Sequence, residues 1–392
     1  MTFELMEEAK EMQETLVHDR RALHQMAELG FDLPKTKAYV WDRLTQMGYE
    51  PREVGGGITA VAGKGGKTVL VRADMDALPQ QEESGLPFAS CTGAAHTCGH
   101  DIHTASLLGA AFLLKKHEEE LPGRVKLCFQ PAEEIVKGAA SMVAHGVLQD
   151  PPVDAALGFH VALPLPVGHC ATIEGYAQAS SDLFRITVTG KGCHGSAPEK
   201  GRDPISAAAF ILLGLESAIA REVSAQQSAV LTIGKFLAGE AANILPDRAV
   251  MEGTLRTYEK EVRAHLKSRL ASITSFLAEG LGCQASVEFL SETPACYNDP
   301  AMTRQVRFAL EELLGKDCVS QKDLPEMGSD DFACYQEKVP GCYINVGFGD
   351  GVGSDGMQRG IHSPYVLFEE EGLPIMAGLM AALPYRWINE QK

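Results

Sequence analysis

Four short apolar runs set the frame of this chain. Residues 67–72, 125–130, 154–160 and 341–347 each have the length of a buried strand, and helical patterns separate them. That alternation predicts an α/β fold: a mixed, mostly parallel sheet with helices on both faces. In such sheets ligands bind at the carboxyl ends of the strands. Polar residues stand at those ends here: Asp74 and Asp76 after the first run, Glu133 and Glu134 after the second, and His160 closing the third.

The middle of the chain has another character. Residues 182–190 alternate as a half-exposed strand, and Asp203-Pro204 can cap and start a helix through residue 219. Strands at 228–237 and 248–258, a helix at 259–279 and a strand at 283–290 complete a βαββαβ order, that of a ferredoxin-like α+β unit. A chain of 392 residues exceeds one ordinary core. We therefore expect a catalytic domain over 1–180 and 296–392, interrupted by an inserted lid or dimerisation domain over 181–295. Residues 5–30 read as one amphipathic helix ending at Gly30, and 35–47 as a second.

The densest polar stretch is His96-Thr-Cys98-Gly-His100-Asp101-Ile-His103. Cys98 and His100 are two apart, an offset that on a helix sends side chains to nearly opposite sides. A shared ion therefore needs a loop, and Gly99 permits the turn. The apolar run that follows reads as a helix buried on most faces, so the cluster feeds a helix N-terminus. A thiolate with imidazoles and carboxylates suits Zn²⁺, Mn²⁺, Co²⁺ or Ni²⁺.

Taken singly, each further candidate has an ordinary reading. Glu133-Glu134 reads as a solvated acidic turn or as a ligand beside a base; His160 as a core histidine or a ligand; His362 as a loop histidine or a ligand. A net charge of −17 argues against nucleic acid and anionic membranes as partners. No apolar stretch approaches the roughly 20 residues of a bilayer span. The acidic N-terminus lacks a signal-like run, and ten cysteines suggest reduced thiols in the cytoplasm.

In combination the motifs are specific. Arg72-Ala-Asp-Met-Asp-Ala-Leu-Pro79, the 96–103 stretch, Gln130-Pro-Ala-Glu-Glu134, Gly158-Phe-His160, Gly192-Cys-His-Gly-Ser-Ala-Pro198, Ala242-Asn-Ile-Leu-Pro246 and Ile361-His-Ser-Pro364 occur in order over essentially the whole chain. Together they resemble the dinuclear metallopeptidase and amidohydrolase family that includes hippurate hydrolase, bacterial N-acyl-amino-acid amidohydrolases and plant auxin-conjugate hydrolases. The resemblance implies two divalent ions per subunit, Mn²⁺ or Zn²⁺ before Co²⁺ or Ni²⁺, held by Cys98, His100, Glu134, His160 and His362. It makes Glu133 the general base toward a water whose pKa the ions lower from near 16 toward about 7. Asp76 matches a carboxylate that orients a ligand. His194 matches a histidine that reaches a substrate oxygen, often across a dimer interface. Asn243 and Arg256 match positions facing the substrate or its carboxylate.

The implied reaction is hydrolysis of N-acyl or N-aroyl amino acids, a small-molecule substrate class, by a homodimer joined through the lid domain or by a higher oligomer. Dipeptidase or aminobenzoyl-glutamate hydrolase activity on the same centre is the enzymatic alternative; a silent ligand-binding protein is the alternative of another class. Three positions depart from the family pattern. Asp74-Met-Asp76 stands where aminopeptidase-like branches carry His-x-Asp. Ile102 replaces a small residue beside a ligand, a change that bears on the site's shape. Ser329-Asp-Asp-Phe332 stands where relatives often have Ser-Glu-Asp-Phe.

Overall fold

The computed structural model describes residues 1–322 and 324–391. The chain forms two compact units. Met1–Ala177, Cys296–Pro325 and Asp330–Lys392 make the first; Gln178–Ala295 and Glu326–Ser329 make the second.

The first unit is built on an eight-stranded mixed sheet. Its order is Arg52–Val54, Gly57–Ala62, Arg124–Gln130, Thr68–Asp74, Ala155–Ala162, Gly341–Gly347, Cys170–Thr172, Val319–Gln321. The four apolar runs are its centre and pair parallel throughout, while Gly57–Ala62 joins antiparallel. Successive side chains on a strand point to opposite faces, and the sequence fills both. Val69, Val71, Leu127, Phe129, Leu157, Phe159, Ile344 and Val346 enter the larger core, shared with helices Thr2–Glu11, His100–Lys116 and Leu373–Glu390. Leu70, Cys128, Ala156 and Tyr343 enter the smaller core, shared with helices Gly138–Ala144 and Ala333–Gln336. Each large side chain so buried contributes about 1.5–3 kcal/mol. The sheet is covered on both faces, so the carboxyl ends of its strands are the natural place for a site.

The expected helix over 5–30 is two helices, Thr2–Glu11 and Gln13–Gln25, separated at Met12 (φ −91°, ψ 4°). Neither glycine nor proline marks that break. The second helix stops at Gln25, short of Gly30, and Pro34 starts the next, Pro34–Gln46.

The second unit has a four-stranded antiparallel sheet in the order Ala229–Ala238, Arg248–Thr257, Ser181–Thr189, Gln284–Thr293, which is the ferredoxin-like arrangement. Phe184, Ile186, Val188, Met251 and Leu255 meet Ile211 and Leu215 of helix Pro204–Glu222 and Leu266 and Leu270 of helix Lys260–Gly280. Asp203 caps the first of these helices by accepting the Ile205 N–H at 2.9 Å, worth about 1 kcal/mol. This helix is by length and composition apolar enough to cross a membrane, with mean hydropathy 1.4, although Glu216 interrupts its apolar run. Its Ala207, Ile211 and Leu215 face is committed to the sheet. Glu326–Ser329 returns to this unit through bonds from the Ala179 N–H to the carbonyls of Glu326 and Gly328.

Candidate metal centre

Each candidate ligand in the first unit owes its place to a local feature. Cys98 lies in the loop before helix His100–Lys116, and His100 is the first helical residue. Gly99 between them takes φ +82°, and a Cβ there would stand 2.6 Å from Val161 Cγ2, so only glycine fits. Glu133 and Glu134 leave strand Arg124–Gln130 in a tight turn whose flanking residues, Ala132 and Val136, hold φ of 58° and 56°. His160 is on strand Ala155–Ala162. His362 has φ 69° and is tied to the ligand loop by its N–H to the Thr97 carbonyl at 2.9 Å. Ala132, Val136 and His362 are the non-glycine residues with positive φ among the described residues, each costing on the order of 1–3 kcal/mol, and all are in or beside the cluster.

The donors converge. Cys98 Sγ is 3.4 Å from His160 Nε2 and 3.3 Å from His362 Nε2, although Cys98 and His362 are 264 positions apart. His362 Nε2 is 3.7 Å from Glu134 Oε1; His100 Nε2 is 3.8 Å from Glu134 Oε1 and 4.0 Å from Glu133 Oε2. Among the trios of mutually close donors that result, Cys98–His100–His160 and Cys98–Glu134–His362 share the sulfur. Glu133 belongs to neither, although it groups with His100 and Glu134. The first trio is buried, whereas the His362 side chain is 52% exposed, so the cluster is open on that side.

Burial, with mutual repulsion, governs the charges. It pushes the Cys98 thiol well above its usual range, aided by Glu134 and Glu133. It pushes Glu133 well up, aided by Asp330 and Asp331, and Glu134 up to about 7, aided by Asp74. Burial also favours the neutral imidazoles: His160 is lowered to about 4, His100 well below its usual value, and His362 is lowered too. Neutral imidazoles beside carboxyls and a thiol that a cation would deprotonate make a ligand set suited to divalent ions.

A second layer fixes these groups. Asp76 accepts the N–H of Glu133 (2.9 Å) and of Glu134 (3.2 Å), and its carbonyl accepts His100 Nδ1–H (2.8 Å), leaving His100 Nε2 for a metal. His160 Nδ1–H donates to the Val161 carbonyl at 2.7 Å, which frees its Nε2 in the same way. His103 spans Asp74 (2.5 Å) and the Val161 N–H (3.0 Å), and so is structural. Asp101 is bound by Arg20 and His24, each at 2.8 Å. Ile102 is buried in the larger core, so this departure bears on packing, not on the site's shape. A feature the motifs do not disclose is the buried Arg72 guanidinium. It joins Asp74 at its own strand end to Asp330 (2.8 Å) and Asp331 (3.2 Å). The Ser329-Asp-Asp-Phe332 motif is the only sequence trace of that clamp.

His194, Asn243 and Arg256 belong to the second unit. His194 and Asn243 are exposed neighbours: Ile244 pairs with His194, and the Asn243 carbonyl accepts the Gly195 N–H at 2.8 Å. Arg256 is half-buried on strand Arg248–Thr257 and donates to Ser329 Oγ at 2.7 Å. No carboxylate among the described residues pairs with its guanidinium within 4.0 Å.

The residues fit divalent ions on their own showing. His100 Nε2 and Glu134 Oε1 are buried with no hydrogen-bond partner among the described residues. Two donors on one tetrahedral ion stand about 3.3–3.8 Å apart, as Cys98 Sγ does from His160 Nε2 (3.4 Å) and from His362 Nε2 (3.3 Å). Fold and donor set define a metal-dependent hydrolase.

Comparison narrows that class. The model of peptidase family M20/M25/M40 matches residues 70–386, and the chain belongs to that family. It is 38% identical over 374 residues to N-acetylcysteine deacetylase of Bacillus subtilis (strain 168), covering 94% of this chain and 95% of that one. It is 37% identical to IAA-amino acid hydrolase ILR1-like 4 of Arabidopsis thaliana, covering 96% and 86%. A solved Bacillus subtilis structure, a dinuclear metal-binding peptidase of the M20 family, superposes with TM-score 0.80 at 34% identity, covering 97% and 99%. The protein is thus a metal-dependent amidohydrolase or metallopeptidase working with two divalent ions.

Proposed function

We propose that the protein hydrolyses the amide bond of N-acyl amino acids to a carboxylic acid and a free amino acid. The observation that carries this is the convergence of Cys98 and His362 beside a glutamate, Glu133, left out of both donor trios. The relatives named for N-acetylcysteine and auxin–amino-acid conjugates support the substrate class.

Cys98, His100 and His160 would hold one ion and Cys98, Glu134 and His362 the other; once bound, the ions acidify a water and polarise the amide carbonyl. Glu133 takes the water's proton and returns it to the leaving amine. Asp76 keeps both glutamates aimed by binding their N–H groups. In our reading Arg256 binds the free carboxylate of the amino acid, since its planar fork matches two oxygens and no carboxylate among the described residues pairs with it. We assign the oxyanion contact to His194 and a substrate contact to Asn243 on the family resemblance. Mn²⁺ or Zn²⁺ is the proposed native metal. A homodimer through the second unit is proposed as well, supported by its exposed Phe210, Leu213 and Phe276. Ten free cysteines support a reducing, cytoplasmic location.

The test is turnover across N-acetyl and N-benzoyl amino acids, dipeptides and aminobenzoyl-glutamate, using metal-free protein reloaded with Mn²⁺, Zn²⁺, Co²⁺ or Ni²⁺. We expect acyl amino acids to lead, and Glu133→Gln to lose about 10²–10⁴-fold in kcat at unchanged metal content. Full turnover by Glu133→Gln, or binding without hydrolysis under every metal, would falsify the reading.

A further inference from the structure

Residues 79–94 contain no helix or strand, yet they are tied at two places that matter to the centre. Adjacent glutamates in this loop face opposite ways. Glu82 is buried and accepts His24 Nε2 at 3.0 Å and the Ser90 N–H at 2.7 Å. The other nitrogen of the same ring, His24 Nδ1, is 2.8 Å from Asp101 Oδ2, and Asp101 follows the ligand His100 in the first turn of its helix. Glu83 is exposed. Its N–H donates to the Pro364 carbonyl at 2.9 Å, and its carboxylate accepts the Tyr365 hydroxyl. Pro364 and Tyr365 stand two and three residues after the ligand His362.

His362 needs such support. Its φ of 69° is unfavourable for a residue with a side chain, and strain of this kind persists only where the surroundings over-determine it. Its own segment is irregular, and the His362 side chain is the exposed member of its trio. Besides the bond from His362 N–H to Thr97 and the burial of Val366 and Phe368 in the larger core, the Glu83 contacts fasten that segment to the ligand loop's side of the fold.

We infer that His24, Glu82 and Glu83 are positioning residues: a crossbar that fixes the His362 segment relative to the Cys98–His100 segment and so sets how tightly the Cys98–Glu134–His362 trio holds its ion. The inference rests on the two-ion reading of the centre. It assigns no chemistry to these residues, only the placement of a ligand.

The experiment titrates Co²⁺ into metal-free full-length protein, following both binding steps by calorimetry and the thiolate–cobalt absorption. Glu82→Ala should leave one ion at wild-type affinity and weaken the other about 10–100-fold, the range for losing an outer-layer partner of a ligand. Glu82→Gln, which keeps the acceptor oxygen, should restore most of that loss. Tyr365→Phe, a surface change, should give a smaller loss in the same step, and it decides alone if Glu82→Ala does not fold. The crossbar is overturned if the folded variants bind both ions as the wild type does, or if both steps weaken equally in proportion to a lowered Tm. Wild-type protein binding a single ion would overturn the two-ion centre itself, a failure seen without any variant.

Discussion

The two units hold their candidate residues in opposite ways. In the first, Cys98, His100 and His160 are 6%, 1% and 8% exposed, and each imidazole has one nitrogen fixed by a backbone carbonyl. In the second, His194 and Asn243 lie on the surface, where the imidazole accepts from the N–H and meets the hydroxyl of Ser196, two residues on. On the proposed function the difference separates two tasks. A metal centre of buried donors has to be built into the folding core, because unpaired polar groups there are costly. Residues that read a substrate gain from staying solvated until it arrives. Damage in the first unit should therefore appear as lost stability and lost metal, and in the second as altered kinetics alone.

The largest expected effect falls on Arg72. Arg72→Met leaves Asp74, Asp330 and Asp331 buried without their cation and should cost about 3–5 kcal/mol in urea unfolding of the metal-free protein. A cost below about 1 kcal/mol would break the comparison on the first unit's side. Next, Arg256→Ala should lower kcat/KM for acyl amino acids by about 10–100-fold, or about 1.4–2.7 kcal/mol, with Tm unchanged. His194→Ala should act chiefly on kcat. A fall in Tm with either would show that the second unit's residues are structural after all.

The smallest effect is a proton count. Burial lowers His160 to about 4, so its ring is already neutral above that pH and releases nothing when an ion binds. Burial and Asp74 raise Glu134 to about 7, so its proton must leave on ion binding below pH 7 but has already gone above it. The Cys98 thiol, raised by burial, must lose its proton at either pH. Metal-free Glu134 should therefore carry its proton at pH 6 and be ionised at pH 8, counted in the infrared difference spectrum of wild type against Glu134→Gln. An unchanged carboxylate signal between the two pH values would contradict it.

Much of this was legible from residue order. Apolar strand-length runs announced the parallel centre of the sheet, and polar residues after them announced the ligand end. What stayed hidden depends on partners distant in sequence. Nothing near Arg72 reveals Asp330, 258 positions away, and nothing near Glu82 reveals that it meets His24. The break at Met12 carries no glycine or proline, so periodicity alone ran two helices together. Ile102, two residues after the ligand His100, reads as a neighbour of the site; the helical turn beginning at His100 carries it into the core instead.

The claim beneath all of this is that one sulfur serves both ions. Counting bound metal in Cys98→Ala at free ion concentrations that saturate the wild type addresses it without reference to any substrate. Loss of both ions is the predicted result; one ion retained at wild-type affinity would contradict the shared thiolate.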